Sequence, residues 1–135
     1  MSFRTPKSEE LAAVQRLKDR LAKADPPVQH VFTNTALLRF YRGRKGDEDD
    51  AYKALIRHVQ WRNENDVNNI HNDVHKFQKE MDAKKVVAEG YDTNGRPAVF
   101  IYTKNHNKND RDLLQLQMLI IYTVESVLKK ANPDE

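Results

Sequence analysis

Along the chain, apolar positions first recur at three- and four-residue steps: Leu11, Val14, Leu17 and Leu21 predict an amphipathic helix opening near Ser8, with Glu9 and Glu10 in its first turn, and closed by Pro26-Pro27. Ala36, Leu37, Leu38, Phe40 and Tyr41 mark a second, short helix, with Asn34 as its predicted cap and a stop near Gly43 to Gly46. Asp47 predicts the cap of a third helix reaching about Asn63. On it Ala51, Tyr52, Leu55, Ile56 and Val59 share one face, while Trp61 projects from the opposite side beside Ala54 and His58. The spacing of Val67, Ile70, Val74, Phe77 and Met81 predicts a fourth, one-sided helix capped by Asp66.

The period then changes. KVVAEGYD and RPAVFIYT flank Thr93-Asn94-Gly95, which predicts a β-hairpin with Asn-Gly at its turn. After the polar stretch HNKND, a fifth helix is predicted from Asp110 to about Ala131, stopped by Asn132-Pro133. Between Leu113 and Leu128 its only charge is Glu125, so it needs cover on more than one side. One hairpin and four modest helices provide little of that cover. The pattern therefore predicts an α+β, mostly helical chain: an N-terminal helical bundle, a hairpin and a long apolar helix. Part of the core is expected to be missing or to come from a second copy, which predicts a homodimer, with unpaired hairpin edges open to exchanged elements.

At 135 residues the length suits one domain. Charge adds little direction: Lys plus Arg 23 against Asp plus Glu 20 leaves +3, which does not demand a nucleic-acid partner. The basic and aromatic run from Arg39 to Lys45 is followed at once by acids, and Phe40 and Tyr41 suit a core, so no nucleic-acid site is expected. The lack of cysteine removes disulfides, thiolate zinc sites and thiol catalysis. MSFRTPKSEE lacks the apolar core of a signal peptide, and no run of about 18 apolar residues occurs. The expectation is a cytoplasmic protein.

Candidate chemistry is sparse. There is no G-x-S-x-G and no glycine-rich phosphate loop, so no catalytic residue and no cofactor is expected. Asp47 to Asp50 lack the glycine and glutamate spacing of a calcium loop and read as acids in a helical first turn. His71 and His75 are four apart, but no third ligand is evident, so no metal site is assigned. Arg42, Arg44 and Lys45 have two readings. They either pair with Asp47 to Asp50 and cap the second helix, or present donors to an anion.

The stretch LLRFYRGRKGDEDDAYKALIRHVQWR resembles the N-terminal helical signature of the CRAL-TRIO family, the phosphatidylinositol- and tocopherol-transfer type. Leu37, Leu38, Arg39, Phe40, Arg42, Arg44, Lys45, Asp47, Ala51, Trp61 and Arg62 stand at its matching positions, with Gly43 for a usual alanine and Gly46 for an aromatic. Gly90-Tyr91-Asp92 followed by Gly95-Arg96-Pro97 is similar to the G-x-D-x-x-G-R-P stretch that opens the family's lipid-binding domain. The resemblance implies two regions, 1–83 being the N-terminal helical region and 84–135 the start of the lipid domain, in a truncated form. It also implies a non-enzymatic lipid-binding or transfer function, with a phosphoinositide or similar lipid and a transient membrane surface as partners. Arg42, Arg44 and Lys45 would then bind the head group. Trp61, Phe100, Tyr102, Leu116, Ile120, Tyr122 and Val124 would line an apolar pocket or a dimer surface. The alternative is a self-associating or partner-binding module that has lost lipid binding.

Overall fold

The computed structural model describes residues 4–131, which fall into two compact units meeting in sequence between Asn68 and Asn69. The N-terminal unit holds three helices: α1 (Ser8–Ala22), α2 (Asn34–Gly43) and α3 (Glu48–Glu64). Of the stripe predicted for α1, Val14, Leu17 and Leu21 are buried and meet Phe32, Leu37, Ala51, Leu55 and Val59, whereas Leu11 is 56% exposed. Leu17, Leu37, Ala51 and Leu55 are fully excluded from water.

Local chemistry sets the ends of these helices. At α1, Glu10 reaches back so that its Oε1 accepts the Lys7 N–H at 2.9 Å. The cap of α2 is Thr33, whose hydroxyl accepts the Ala36 N–H at 3.1 Å, one residue before the predicted Asn34. Asp47 caps α3 by accepting the Asp50 N–H at 3.0 Å. The acids that follow reach mainly to α1: Arg16 Nε lies 2.6 Å from Glu48 and Arg20 Nη1 lies 2.9 Å from Asp49. Helix α2 closes in a Schellman turn, with Gly46 N–H donating to the Tyr41 carbonyl and Lys45 N–H to that of Arg42, both at 3.0 Å. Lys45 (φ 55°) and Gly46 (φ 79°) are both left-handed, and a Cβ on Gly46 would stand 3.4 Å from the Tyr41 hydroxyl.

The C-terminal unit contains α4 (Gln78–Asp82), strands β1 (Val86–Tyr91) and β2 (Pro97–Ile101), and α5 (Leu113–Ala131). The predicted fourth helix is a correction: Val67–Asn72 and Val74–Phe77 form 3-10 turns, and only Gln78–Asp82 is α-helical. The predicted cap, Asp66, precedes the first of these turns. With φ 49°, it lies just past the end of α3. Asn68, Asn69, Asn72 and Asp73 are residue types of low helix propensity, which disfavours a regular helix here. Val67, Ile70 and Phe77 are buried all the same, because a three-residue step keeps side chains aligned on a 3-10 helix too.

The two strands pair antiparallel, Val86 opposite Ile101, Val87 opposite Phe100 and Ala88 opposite Val99, with a bulge before Tyr91. The turn is longer than a two-residue Asn-Gly loop. Asp92 Oδ1 accepts the N–H groups of Asn94 and Arg96, its carbonyl accepts that of Gly95, and its Oδ2 takes the Arg96 guanidinium at 2.6 Å. Only Gly95 carries a positive φ in the turn. Helix α5 starts at Leu113, three residues later than predicted, because Asp112 is its cap and accepts the Gln115 N–H at 3.0 Å. It packs against the segment 74–82 on one side and the hairpin on another. Its interior hydroxyls are satisfied locally: Thr123 donates to the Leu119 carbonyl and Ser126 to that of Tyr122, both at 2.8 Å.

Candidate functional site

An apolar groove of about 540 Å³ runs between α5 and the hairpin. Strand parity builds one wall: Val86, Val99 and Ile101 share a face, with Tyr102 beyond the strand end. Leu116, Ile120, Val124 and Val127, at three- and four-residue steps on α5, build the other. Ile101, Ile120 and Val124 remain 71%, 46% and 51% exposed, so the groove is open along its length. Few polar groups reach it, which leaves dispersion and water exclusion as the means of binding.

Under the groove lies a charged pair that, among the described residues of this unit, is the one buried on both sides. Lys85 Nζ donates to Glu80 Oε2, with Glu80 1% and Lys85 5% exposed. Glu80 Oε1 also accepts the Asp112 N–H at 3.3 Å, tying the start of α5 to α4. Burial pushes the Glu80 carboxyl up, but the hydrogen bonds from Lys85 and Asp112 and the charges of Lys85 and Lys79 outweigh it and hold it below its ordinary value. Asp92 in the hairpin turn is likewise held down, by the Arg96 backbone N–H first, against partial desolvation, with the Arg96 side chain and Asn94 adding to it.

Of the residues predicted for an apolar site, Tyr102, Leu116, Ile120 and Val124 are brought together in this groove. Phe100 is placed elsewhere: it pairs with Val87 on the opposite strand face, its ring 6.4 Å from that of Tyr102. Tyr122 points to the other side of α5, where its ring meets Phe77 at 5.6 Å and His71 at 5.1 Å. Trp61 belongs to the N-terminal unit, 39% exposed, its ring 5.5 Å from His58. His58 in turn meets Phe40 and Phe32, so the second face of α3 is an aromatic seam. Val86, Val99, Ile101, Val127 and Leu128 were missed as groove residues; strand alternation and the α5 spacing hold the signal, but not which face is uncovered.

The basic set is likewise divided. Arg42 does not face the acids at 47–50. Its Nε lies 2.7 Å from Glu10 Oε2, and its Nη2 donates to the Arg4 carbonyl at 2.9 Å. Arg4 Nη2 meets the same carboxylate at 3.1 Å. Glu10 is buried, and the hydrogen bond from Arg42, followed by that from the Lys7 N–H, holds its carboxyl down at about 2 despite desolvation. Arg44 reaches Asp50 only at 4.0 Å, and Lys45 makes no ion pair among the described residues. Arg62, also unforeseen, is buried and donates from Nε and Nη2 to Asn68 Oδ1 at 2.9 and 2.7 Å, bracing the end of α3. No group of three or more His, Cys, Asp or Glu side chains gathers at metal-binding distance among the described residues. No described helix is long and apolar enough to cross a membrane.

A mostly helical α+β scaffold carrying an open apolar groove defines a class of proteins able to hold hydrophobic ligands. Residues 81–135, which include both groove walls, match the CRAL/TRIO domain. The chain is thus similar to part of the domain of the CRAL-TRIO family, whose domains in general bind and transfer lipids. It is 32% identical over 88 residues to a CRAL-TRIO domain-containing protein of Schizosaccharomyces pombe. That match covers 65% of this chain and 8% of the relative, so the chain spans a small part of the relative's length. No solved structure matches the chain.

Proposed function

We propose that this chain is a non-enzymatic lipid-binding protein whose groove between α5 and the hairpin receives the apolar part of a lipid. The observation that carries the reading is the lining: Val86, Val99, Ile101, Leu116, Ile120 and Val124 form two apolar walls around about 540 Å³. In its finer form the ligand is a phosphoinositide or similar lipid drawn from a membrane surface in the cytoplasm, and Arg42, Arg44 and Lys45, within the N-terminal unit by itself, offer donors to a phosphate head group. Lys45 is the member of that set with no ion-pair partner among the described residues, and it supplies a mobile point charge.

Native mass spectrometry after incubation with phosphoinositide-containing vesicles tests this. A bound lipid mass is expected for the wild type and should be lost in Ile120→Asp, which places a charge on the apolar wall. Loss in the double variant Arg44→Ala, Lys45→Ala alone would assign the head group. No lipid mass on the wild type overturns the reading.

A second reading draws on the exposure of Ile101, Leu113, Leu114 and Val124, apolar side chains that a second copy would cover. In it two copies cover each other's grooves as a homodimer. Light scattering at micromolar concentration would then show a dimer that Ile120→Asp converts to monomer.

A further inference from the structure

Where residues 4–6 pass α2, the N-terminal unit has a second depression, of about 570 Å³, of a different chemistry. Arg4, Arg39 and Arg42 line it, with Thr5, Thr35 and an apolar floor at Leu38. No carboxylate is among the lining side chains. Glu10 grips Arg42 through Nε at 2.7 Å and Arg4 through Nη2 at 3.1 Å, so three positive charges meet one negative and two remain in excess. Arg39 is exposed and makes no ion pair or hydrogen bond among the described residues. A neighbouring depression of about 550 Å³ shares Arg4 and Arg42 and adds Lys7 and Lys45, with Glu9 as its other acid. The positive field therefore continues along this face.

Like charges held around one hollow repel each other, and a bound anion relieves that repulsion. The Glu10 clamp orients two of the guanidinium groups before any ligand arrives, which lowers the entropy cost of binding. Planar forks of this kind match the paired oxygens of a phosphate, and a dianion balances the excess of two. We propose that this depression is a phosphate-binding site, with Arg39 as its uncommitted donor and Arg4 and Arg42 as its preset pair. The ligand class is a phosphate monoester, free or carried on a lipid. The site uses residues of the N-terminal unit alone and does not depend on the groove holding a lipid.

The test uses the full chain labelled for amide NMR. Inorganic phosphate is titrated at constant ionic strength against sodium chloride. Saturable shifts are expected at Thr5, Thr35 and Arg39. Arg39→Gln should weaken phosphate binding by roughly tenfold or more, as loss of a charge-assisted hydrogen bond implies. Arg39 is exposed, so the fold should survive the change. Arg57→Gln removes the same charge outside the depression and should leave phosphate affinity within about twofold of wild type. Shifts equal to those in chloride, or equal losses in the two variants, would show only diffuse charge and overturn the site. A second arm uses phosphatidylcholine vesicles with and without phosphatidic acid. Arg39-dependent binding to the phosphatidic acid vesicles, competed by free phosphate, supports the site with a lipid as the source. Phosphate binding without vesicle binding supports it with a soluble ligand. Ile120→Asp should leave the inorganic phosphate titration unchanged, so failure here and failure of the groove reading are separable.

Discussion

Replacing Lys85 by Met should destabilise the C-terminal unit more than any change to an exposed charge. The substitution keeps an aliphatic stem and removes the ammonium, leaving Glu80 Oε2 without its partner in a side chain that is 1% exposed. Oε1 retains only the 3.3 Å contact with the Asp112 N–H. Breaking one side of a buried pair costs about 3–5 kcal/mol, against a total stability of about 5–15 kcal/mol for a typical domain. Urea denaturation followed on the amide signals of Leu119 and Thr123 reads this unit directly, because both residues lie buried in α5. Adding Glu80→Gln to Lys85→Met should recover a large part of the loss, since no stranded charge remains.

Acidity supplies an independent check. With Lys85 present, the folded carboxyl of Glu80 lies below its ordinary value, so its contribution is present at neutral pH and fades as pH falls through that lowered value. In Lys85→Met, burial is opposed only by the Asp112 N–H and the Lys79 charge, and the carboxyl should move upward. Protonation then relieves the penalty, so the gap between variant and wild type should narrow on acidification. A loss below about 1 kcal/mol at neutral pH, or a gap that does not narrow, would refute the buried-pair argument.

Glu10 should give the N-terminal unit its own acid response. Its carboxyl is held at about 2 rather than 4.5, so its stabilisation is full above the ordinary value and disappears as pH falls from there toward about 2. Glu10→Gln should flatten that part of the acid-unfolding curve, read by Trp61 fluorescence. Lys45→Gly should stabilise this unit by up to about 1 kcal/mol in thermal unfolding, because Lys45 sits at φ 55° where glycine carries no Cβ penalty. Gly46→Ala should have the opposite sign, as its φ is 79° and the new Cβ would crowd the Tyr41 hydroxyl. Leu55→Ala, at a site with no exposure, should cost about 2–5 kcal/mol by chemical denaturation.

Periodicity alone carried α1, α3, the hairpin and α5, because each buries one repeating set of positions. Leu17 and Leu55 are core for the same reason that the pattern singles them out. The Asn-Gly pair located the turn, and the GRP stretch lies within the residues that match the CRAL/TRIO domain. Residues 67–77 were not legible as 3-10 turns: the pairs Val67 with Ile70 and Val74 with Phe77 satisfy a three-residue step in either helix. The residues between them include Asn68, Asn69, Asn72 and Asp73, types of low helix propensity that the apolar spacing does not register.

The sites divide along the same line. A charged sequence run names which ions are present, but distance in space chooses their partners. Arg42 ignores the acids five to eight residues away and pairs with Glu10, 32 residues distant, because α1 and α2 pack side by side. In the hairpin, alternation makes Val99 and Phe100 equally plausible groove residues. Only the packing of α5 on one face puts Val99 in the groove and Phe100 outside it. What the chain by itself determined was which residues are apolar and at what interval. Tertiary structure decided which of those surfaces stay open, because burial of one face depends on elements far away in the sequence.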